Sequence, residues 1–390
     1  MRVVPLAAHS PRAVREKLIA YGWDDNRAEV ASSGLGPVCL WLSGLSDEAL
    51  LALVRHAGHL GIDIFTGEDW ALLSSSHSRM GALARPWVVP PELSQLAHDV
   101  GVALPAPPAT EWETARGIVR LDRPVVMGIL NLTPDSFSDG GQFLTPDAAL
   151  EQADRLLSEG ADILDLGGES TRPGRPEPVP IEEEIARVIP VVEALVRRHP
   201  GILISVDTVK SAVATRALGS GAAIINDVSA FRIDPEMAHV SAAAGAGVVL
   251  MHSRGDVSSM ATLDHADYED DLLQVVRSEL AASLRTASDA GIVPGRIAID
   301  PGIGFAKTAE QNMLLCDRLA ELLPLGCPLL VGPSRKRFLG VITGREVSQR
   351  DVATAAVCVL AYERGARLFR VHNVAATRDA LLVAHAITAA

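Results

Sequence analysis

The sequence predicts an α/β protein, a (β/α)8 TIM barrel preceded by a small α/β domain. Three observations carry this reading. After residue 110, a short β-branched run, a polar turn and a helical stretch recur eight times, the repeat count of a barrel of about 250 residues. The strand runs are continuously apolar rather than alternating, as expected of parallel strands covered by helices. The stretch 104-LPAPPAT-110 cannot hold a helix and reads as a linker, which divides the chain into domains 1–110 and 111–390. A doubly wound open sheet is the alternative, less suited to this strand count.

The 390 residues suit one large and one smaller domain, and 48% hydrophobic with 21% charged residues is ordinary globular usage. A net charge of -13 argues against partnership with nucleic acid or an anionic membrane surface, while leaving room for a local basic site. Cys39, Cys316, Cys327 and Cys358 have apolar neighbours and no CxxC spacing, so they read as buried thiols of a reducing compartment. The start, MRVVPLAAHSPRAVREKL, is a poor signal peptide, and no run reaches the ~20 apolar residues of a membrane helix. A soluble, cytoplasmic protein is expected.

In the first domain, 38-VCLWL-42 and 62-IDIFTG-67 read as strands. Between them, 46-SDEALLALVRHAG-58 reads as a helix with Ser46 as N-cap. Trp23, Trp41, Trp70 and Trp87 are candidate core. His56, His59 and His77 lack the cysteine or carboxylate pattern of a metal site and read as ordinary surface or packing residues.

In the second domain, GIVRLD at 117–122 is expected to form a hairpin arm under the barrel. The barrel strands read, in order, VVMGILN, DILDLGG, ILISVDT, AAIINDV, GVVLMH, RIAIDPG, PLLVGPS and LFRVHNV. Helices lie between them, among them 269–291 and 350–366. Barrel active sites occupy the C-terminal strand ends. All eight ends are polar: Asn131; 165-DLGGESTRPG-174; Asp207; Asn226 and Asp227; Met251 and His252; Asp300; 334-SRK-336; and 370-RVHN-373. Eight polar ends above apolar strand bodies describe a site for a polar ligand. Asp227 and Thr208 are read instead as caps of the helices that follow.

The motifs MGILNLTPDSFSDGG, LGGESTRPG, ISVDT, IINDV, LMH, IDPGIGF, SRKRFLG and RVHNV, in this order and at every strand end, resemble the dihydropteroate synthases. The resemblance spans residues 117 to about 385. It implies a transferase of folate biosynthesis, condensing a dihydropterin methyl diphosphate with 4-aminobenzoate and releasing diphosphate. It implies Mg²⁺ as cofactor, small-molecule substrates as partners, and a homodimer through late barrel helices such as 350–365. Three positions depart from the family pattern: Ala306 stands where Gly is expected, Gln311 where His is, and Asn373 where Asp is.

Under this resemblance the residue chemistry falls into place. A pterin edge of N–H donors needs acceptors, which Asp207 and Asp300 offer, while Asn226 can both donate and accept and so meet the mixed remainder of the edge. Met251 would pack on the ring. Arg370 and His372 alternate along the last strand, so both face inward toward the diphosphate. The resemblance places Asn131 on the Mg²⁺, Lys336 at the pterin carbonyl, and Ser334 at the aminobenzoate carboxylate. Arg335 reads as structural. Phe137, Thr171 and Pro173 lie in Gly-containing loops expected to close over the substrates, with Phe137 and Pro173 as walls for the aminobenzoate ring and Thr171 as a polar contact. Catalysis is assigned to Asp207, Lys336 and Arg370, with no covalent nucleophile. A barrel methyltransferase using a methylated folate, and a non-catalytic pterin-binding regulator, are the competing readings. GESTRPG, SRKRFLG and the Arg370–His372 pair favour the synthase over the first. Intact Asn131, Lys336, Arg370 and His372 favour it over the second.

Overall fold

The computed structural model describes residues 2–6, 11–25, 27–28, 31, 38–75, 77–84, 89–104, 109–133, 146–169, 178–268 and 271–388. They form two compact units: Met1–Pro107 with Asp317–Gly326, and Pro108–Cys316 with Cys327–Ala390. The segment Asp317–Gly326, which the sequence assigns to the barrel domain, groups with the first unit.

The first unit is built on an antiparallel sheet of β1 (Arg2–Leu6), β2 (Val38–Ser43), β3 (Asp63–Thr66) and β4 (Trp70–Ser75), in the order β1-β2-β4-β3. Strands β1 and β4 are additional to the sequence reading. Alternation along β2 sends Val38, Leu40 and Leu42 to one face, and Cys39 and Trp41 to the other, and both faces are buried. The first face packs on the helix Asp47–Leu60, whose N-terminus is capped as expected by the Ser46 hydroxyl accepting from the Ala49 N–H at 3.2 Å. On the second face Trp41 stacks on Trp70 at 4.5 Å, with Trp23 5.9 Å from Trp70. Trp87 lies outside the described residues.

The second unit is the barrel. Its strands are β7 (Val125–Asn131), β8 (Ile163–Gly167), β9 (Leu203–Asp207), β10 (Ile224–Asp227), β11 (Gly247–Met251), β12 (Ile297–Asp300), β13 (Leu330–Val331) and β14 (Leu368–Val371). All pair in parallel, in the order β12-β11-β10-β9-β8-β7-β14-β13, and a parallel bridge from Ile299 to Leu329 closes the ring. Each strand is a buried apolar run followed by a helix, which is why the period-two signal is missing.

Below the barrel, β5 (Glu111–Thr114) and β6 (Gly117–Arg120) form the expected hairpin. It seals the ring with Trp112, fully buried against Val125, Met127, Ile163, Ile224 and Ala298, its indole N–H donating to the Arg296 carbonyl at 3.0 Å. This cluster fixes which side chains point inward. Chemistry can occupy only the layer above it.

Candidate active site

Counting two residues up each strand from that apolar layer yields the site. Ile163 is followed by Asp165, Ile224 by Asn226, Val249 by Met251 and Ala298 by Asp300. Leu368 is followed by Arg370 and then His372. Asp207 closes β9 opposite Gly167 and Asn226. Parallel pairing in register brings residues distant in sequence to one level.

At that level Arg370 joins two carboxylates. Its Nε donates to Asp165 Oδ2 at 2.5 Å, and its Nη2 to Asp207 Oδ2 at 2.7 Å. Asn226 Nδ2 donates to the same Asp165 oxygen at 3.2 Å. Asp300 Oδ1 accepts the Gly302 N–H at 2.7 Å. Burial pushes Asp207 up to about 7; Arg370 opposes this, and Asp165 adds to it. Burial also raises Asp300 and lowers Lys336 to about 7, the attraction of Asp300 for Lys336 opposing the latter shift. Groups displaced this far toward neutrality mark a functional floor.

Lys336 reaches this floor across the Phe305 ring, its Nζ 3.8 Å from the centroid. Gly304 makes the approach possible: its φ is +81°, and a Cβ there would lie 2.5 Å from Lys336 Cδ. Arg335 takes a left-handed φ of +57° and turns away, gripping Asp351 through two bonds of 2.6 and 2.8 Å. That strained turn separates Ser334 from Lys336, and it places Arg335 on the structural side. Ser334 Oγ lies 2.8 Å from His372 Nδ1 and accepts the His372 N–H at 3.1 Å. The Ser334 hydroxyl and the His372 ring nitrogen thus share a hydrogen bond whose direction follows the tautomer of the ring.

Asn131 stands at the mouth of β7. A Cβ built on Gly167 would sit 3.9 Å from Asn131 Oδ1 and 3.8 Å from Asp207 Cβ, so glycine keeps the space between those two side chains open. Among the described residues no cluster of three His, Cys, Asp or Glu could cage a metal. One neutral oxygen beside an open cradle matches a cation held mainly by phosphate oxygens and water. Phe137, Thr171 and Pro173 lie outside the described residues.

Asp227 and Thr208 are not helix caps. Asp227 accepts from the Ser229 N–H, the Ser229 hydroxyl and the Phe231 N–H, holding a turn in which Ala230 and Phe231 both have positive φ. Thr208 Oγ1 accepts the Lys210 N–H ahead of the helix Ser211–Gly219. Both caps were expected too early in the chain, because a turn intervenes before each helix begins. The three departures also find places. Ala306 adopts φ +45°, the backbone region that suits glycine. Gln311 Oε1 accepts the Thr308 N–H while Thr308 Oγ1 accepts the Gln311 N–H, a reciprocal cap. Asn373 Oδ1 accepts the Ala376 N–H and its amide donates to Asp351.

Three contributors were given no role by the sequence reading: Asp165 and Phe305, which lie within quoted motifs, and Lys307. Asp165 was overlooked because it sits inside a strand; its inward phase relative to Ile163 was the available signal. Buried Lys307 donates to His252 Nδ1 at 3.0 Å and to the Gly302 and Phe305 carbonyls, bracing the turn beneath Asp300. His252 then donates through Nε2 to Glu279 at 2.9 Å. Burial, with Lys307 adding, lowers His252 to about 4 from its ordinary 6.5. The folded protein therefore binds fewer protons than the unfolded chain between those values, and this contribution is complete above 6.5 and lost as pH falls through 4. Unfolding by denaturant at pH 7 and pH 4.5 is expected to show the wild type losing up to about 3 kcal/mol through this residue. His252→Gln is expected to lose less between the same two pH values.

Residues 127–372 match the family described as pterin binding enzyme, which leaves residues 1–126 outside the match. The dihydropteroate synthase of Synechocystis sp. is 46% identical over 266 residues, covering 68% of this chain and 90% of that protein. That of Mycobacterium leprae is 46% identical over 264 residues, covering 66% and 91%. The solved dihydropteroate synthase of Xanthomonas albilineans with 4-aminobenzoic acid superposes with a TM-score of 0.67 at 47% identity, covering 72% of this chain and 99% of that one. The same enzyme in complex with 7,8-dihydropteroate gives a TM-score of 0.62 at 45% identity, covering 70% and 97%. With a closed eight-stranded barrel and a rim of acceptors facing two cations, the chain belongs to the pterin-binding enzymes and, among them, to the dihydropteroate synthases.

Proposed function

We propose that the protein condenses (7,8-dihydropterin-6-yl)methyl diphosphate with 4-aminobenzoate, giving 7,8-dihydropteroate and diphosphate for folate biosynthesis. The observation that carries this is the convergence of Asp207, Asn226, Asp300, Lys336 and Arg370 at one level of one barrel rim. Asp207, Asp300 and Asn226 would accept from the N–H groups of the pterin, Met251 packing on its face. Lys336 would donate to the pterin carbonyl. Arg370 uses two of its five N–H donors on carboxylates, and the others, beside the His372 ring, would receive the diphosphate.

The C–O bond to diphosphate breaks, leaving positive charge on the pterin methylene. Asp207 stabilises that charge, and the aniline nitrogen forms the new C–N bond and releases its proton. Positioning and preorganised charge are sufficient for this, without a covalent nucleophile. Lys336 spans the Phe305 ring at the junction of the two substrates. Phe137, Thr171, Pro173 and Ser334 are assigned to the aminobenzoate; the Ser334 hydroxyl would have to leave His372 to meet the carboxylate. Asn131 would hold Mg²⁺, which when bound would neutralise the leaving diphosphate. Asn131→Ala is then expected to remove the Mg²⁺ dependence of diphosphate-ester binding in calorimetry, while binding of the corresponding 6-hydroxymethyl pterin stays within about twofold.

The deciding experiment incubates the purified protein with the pterin diphosphate, Mg²⁺ and radiolabelled 4-aminobenzoate. Labelled pteroate supports the reading. Pterin binding without product would favour the regulator.

A homodimer is the assembly we assign. Val341, Val352, Val383 and Ile387 are 63%, 82%, 60% and 72% exposed on the helices Arg337–Thr343, Asp351–Glu363 and Val374–Thr388. Large aliphatic side chains gathered on neighbouring helices suit a self-complementary interface. Val352→Asp is expected to halve the mass measured by light scattering. We assign the first unit a structural or assembly role; loss of residues 1–110 with unchanged activity and an unchanged number of subunits would refute it. No described helix is long and apolar enough to cross a membrane; the free thiols of Cys39, Cys327 and Cys358 are buried, that of Cys316 only half-buried, and such thiols fit a cytoplasmic setting.

A further inference from the structure

We propose that Asp165 is a positioning residue that sets the hydrogen-bond polarity of the pterin pocket by fixing the orientation of Asn226 and Arg370. This rests on the pterin reading above. Asp165 is fully buried in β8, two residues above the apolar layer, and touches the reacting groups only through its neighbours.

Asn226 can offer a ligand either its carbonyl oxygen or its amide N–H, according to a rotation that costs little by itself. Asp165 removes the choice. An ionised carboxylate only accepts, so the Nδ2 of Asn226 must face Asp165 Oδ2, as it does at 3.2 Å. The Oδ1 is thereby turned away from Asp165. The same oxygen takes Nε of Arg370 and fixes the plane of the guanidinium, with Nη2 on Asp207. Arg370 is the ion-pair partner of Asp165 in this buried place, and the other oxygen of Asp165 has no hydrogen-bond partner.

The consequence is a pocket whose side chains at this level, Asp207, Asn226 and Asp300, all present acceptors to the ligand edge. Such a pocket favours an edge carrying an exocyclic amine and ring N–H groups, and it rejects the analogue in which the 2-amino group is a 2-oxo group, because two acceptors then meet. The selectivity for a 2-amino pterin is thus written partly in a residue that does not touch it.

The test measures binding of 6-hydroxymethylpterin and of its 2-oxo analogue by calorimetry, without the diphosphate or the second substrate. Asp165→Asn keeps the shape but lets residue 165 donate, which frees Asn226 to turn. The preference for the 2-amino compound is expected to narrow about tenfold or more, with the KM for 4-aminobenzoate nearly unchanged. The double variant Asp165→Asn with Asn226→Asp exchanges donor and acceptor, and again leaves an acceptor toward the ligand. It is expected to restore the preference. A folded Asp165→Asn protein with wild-type selectivity would overturn the proposal, as would a double variant that stays unselective. Where Asp165→Asn does not fold, the double variant decides alone. Failure of the wild type to bind either compound would instead defeat the pterin reading itself.

Discussion

Asp207→Asn is expected to lower kcat/KM for the pterin diphosphate about 100-fold or more, the cost of removing one preorganised charge from a buried transition state. The substitution preserves shape. Arg370 keeps Asp165 as a partner, so its charge is not left alone in the barrel. Thermal stability should therefore change little, and the loss should appear in kcat more than in the KM for 4-aminobenzoate. The reason lies in where Asp207 sits: at the end of β9, opposite Gly167, raised toward neutrality by burial, yet held by Arg370. A carboxylate in that condition has been stripped of much of its water before the reaction begins. Its charge then acts on the developing cation with little screening. Steady-state kinetics beside a melting curve will check this; near-normal turnover would remove Asp207 from the mechanism.

Gly302→Ala is expected to destabilise the protein by about 3 kcal/mol or more and to abolish pterin binding. Gly302 has a φ of +70°, and a Cβ there would lie 1.9 Å from the carbonyl oxygen of His252. That oxygen belongs to backbone at the end of β11, so no side-chain rotation can relieve the clash. The ends of β11 and β12 would have to part, although the His252 N–H donates to the Asp300 carbonyl at 2.8 Å between them. The Gly302 N–H also supports Asp300 Oδ1, and the Gly302 carbonyl accepts from Lys307. A movement large enough to admit the methyl group therefore shifts a carboxylate of the site. Denaturant unfolding and pterin calorimetry on the same preparation would separate the effects; a variant both stable and pterin-binding would contradict this account.

These expectations show how legible the protein was. The barrel could be read because parallel strands covered by helices are continuous apolar runs, and these have polar ends only where a ligand is met. Asp207, Asn226, Asp300, Lys336, Arg370 and His372 could be placed on the rim because each closes or follows such a run. The alternation of Arg370 and His372 gave their inward direction, which the bonds to Asp165, Asp207 and Ser334 bear out. Asp165 was harder. It lies inside an apolar strand, and its importance depends on Arg370, 205 residues away in the chain. Lys307 was harder still, since nothing local distinguishes a buried lysine from a solvated one. The caps assigned to Asp227 and Thr208 failed because local sequence cannot show that a turn intervenes before the helix. In the first unit, β1 and β4 escaped notice because short strands without alternation give no periodic signal.

The sequence by itself determined the barrel, its rim and the chemical character of each strand end, because periodicity and residue type are local properties. Only the tertiary structure decided which of those ends share a hydrogen bond. That depends on strand register and on the closure of the ring, which set β8, β9, β10 and β14 at one height. It is why Arg370 reads as a phosphate ligand in the sequence, yet in the fold is also the cation that holds buried Asp165 and half-buried Asp207 in place.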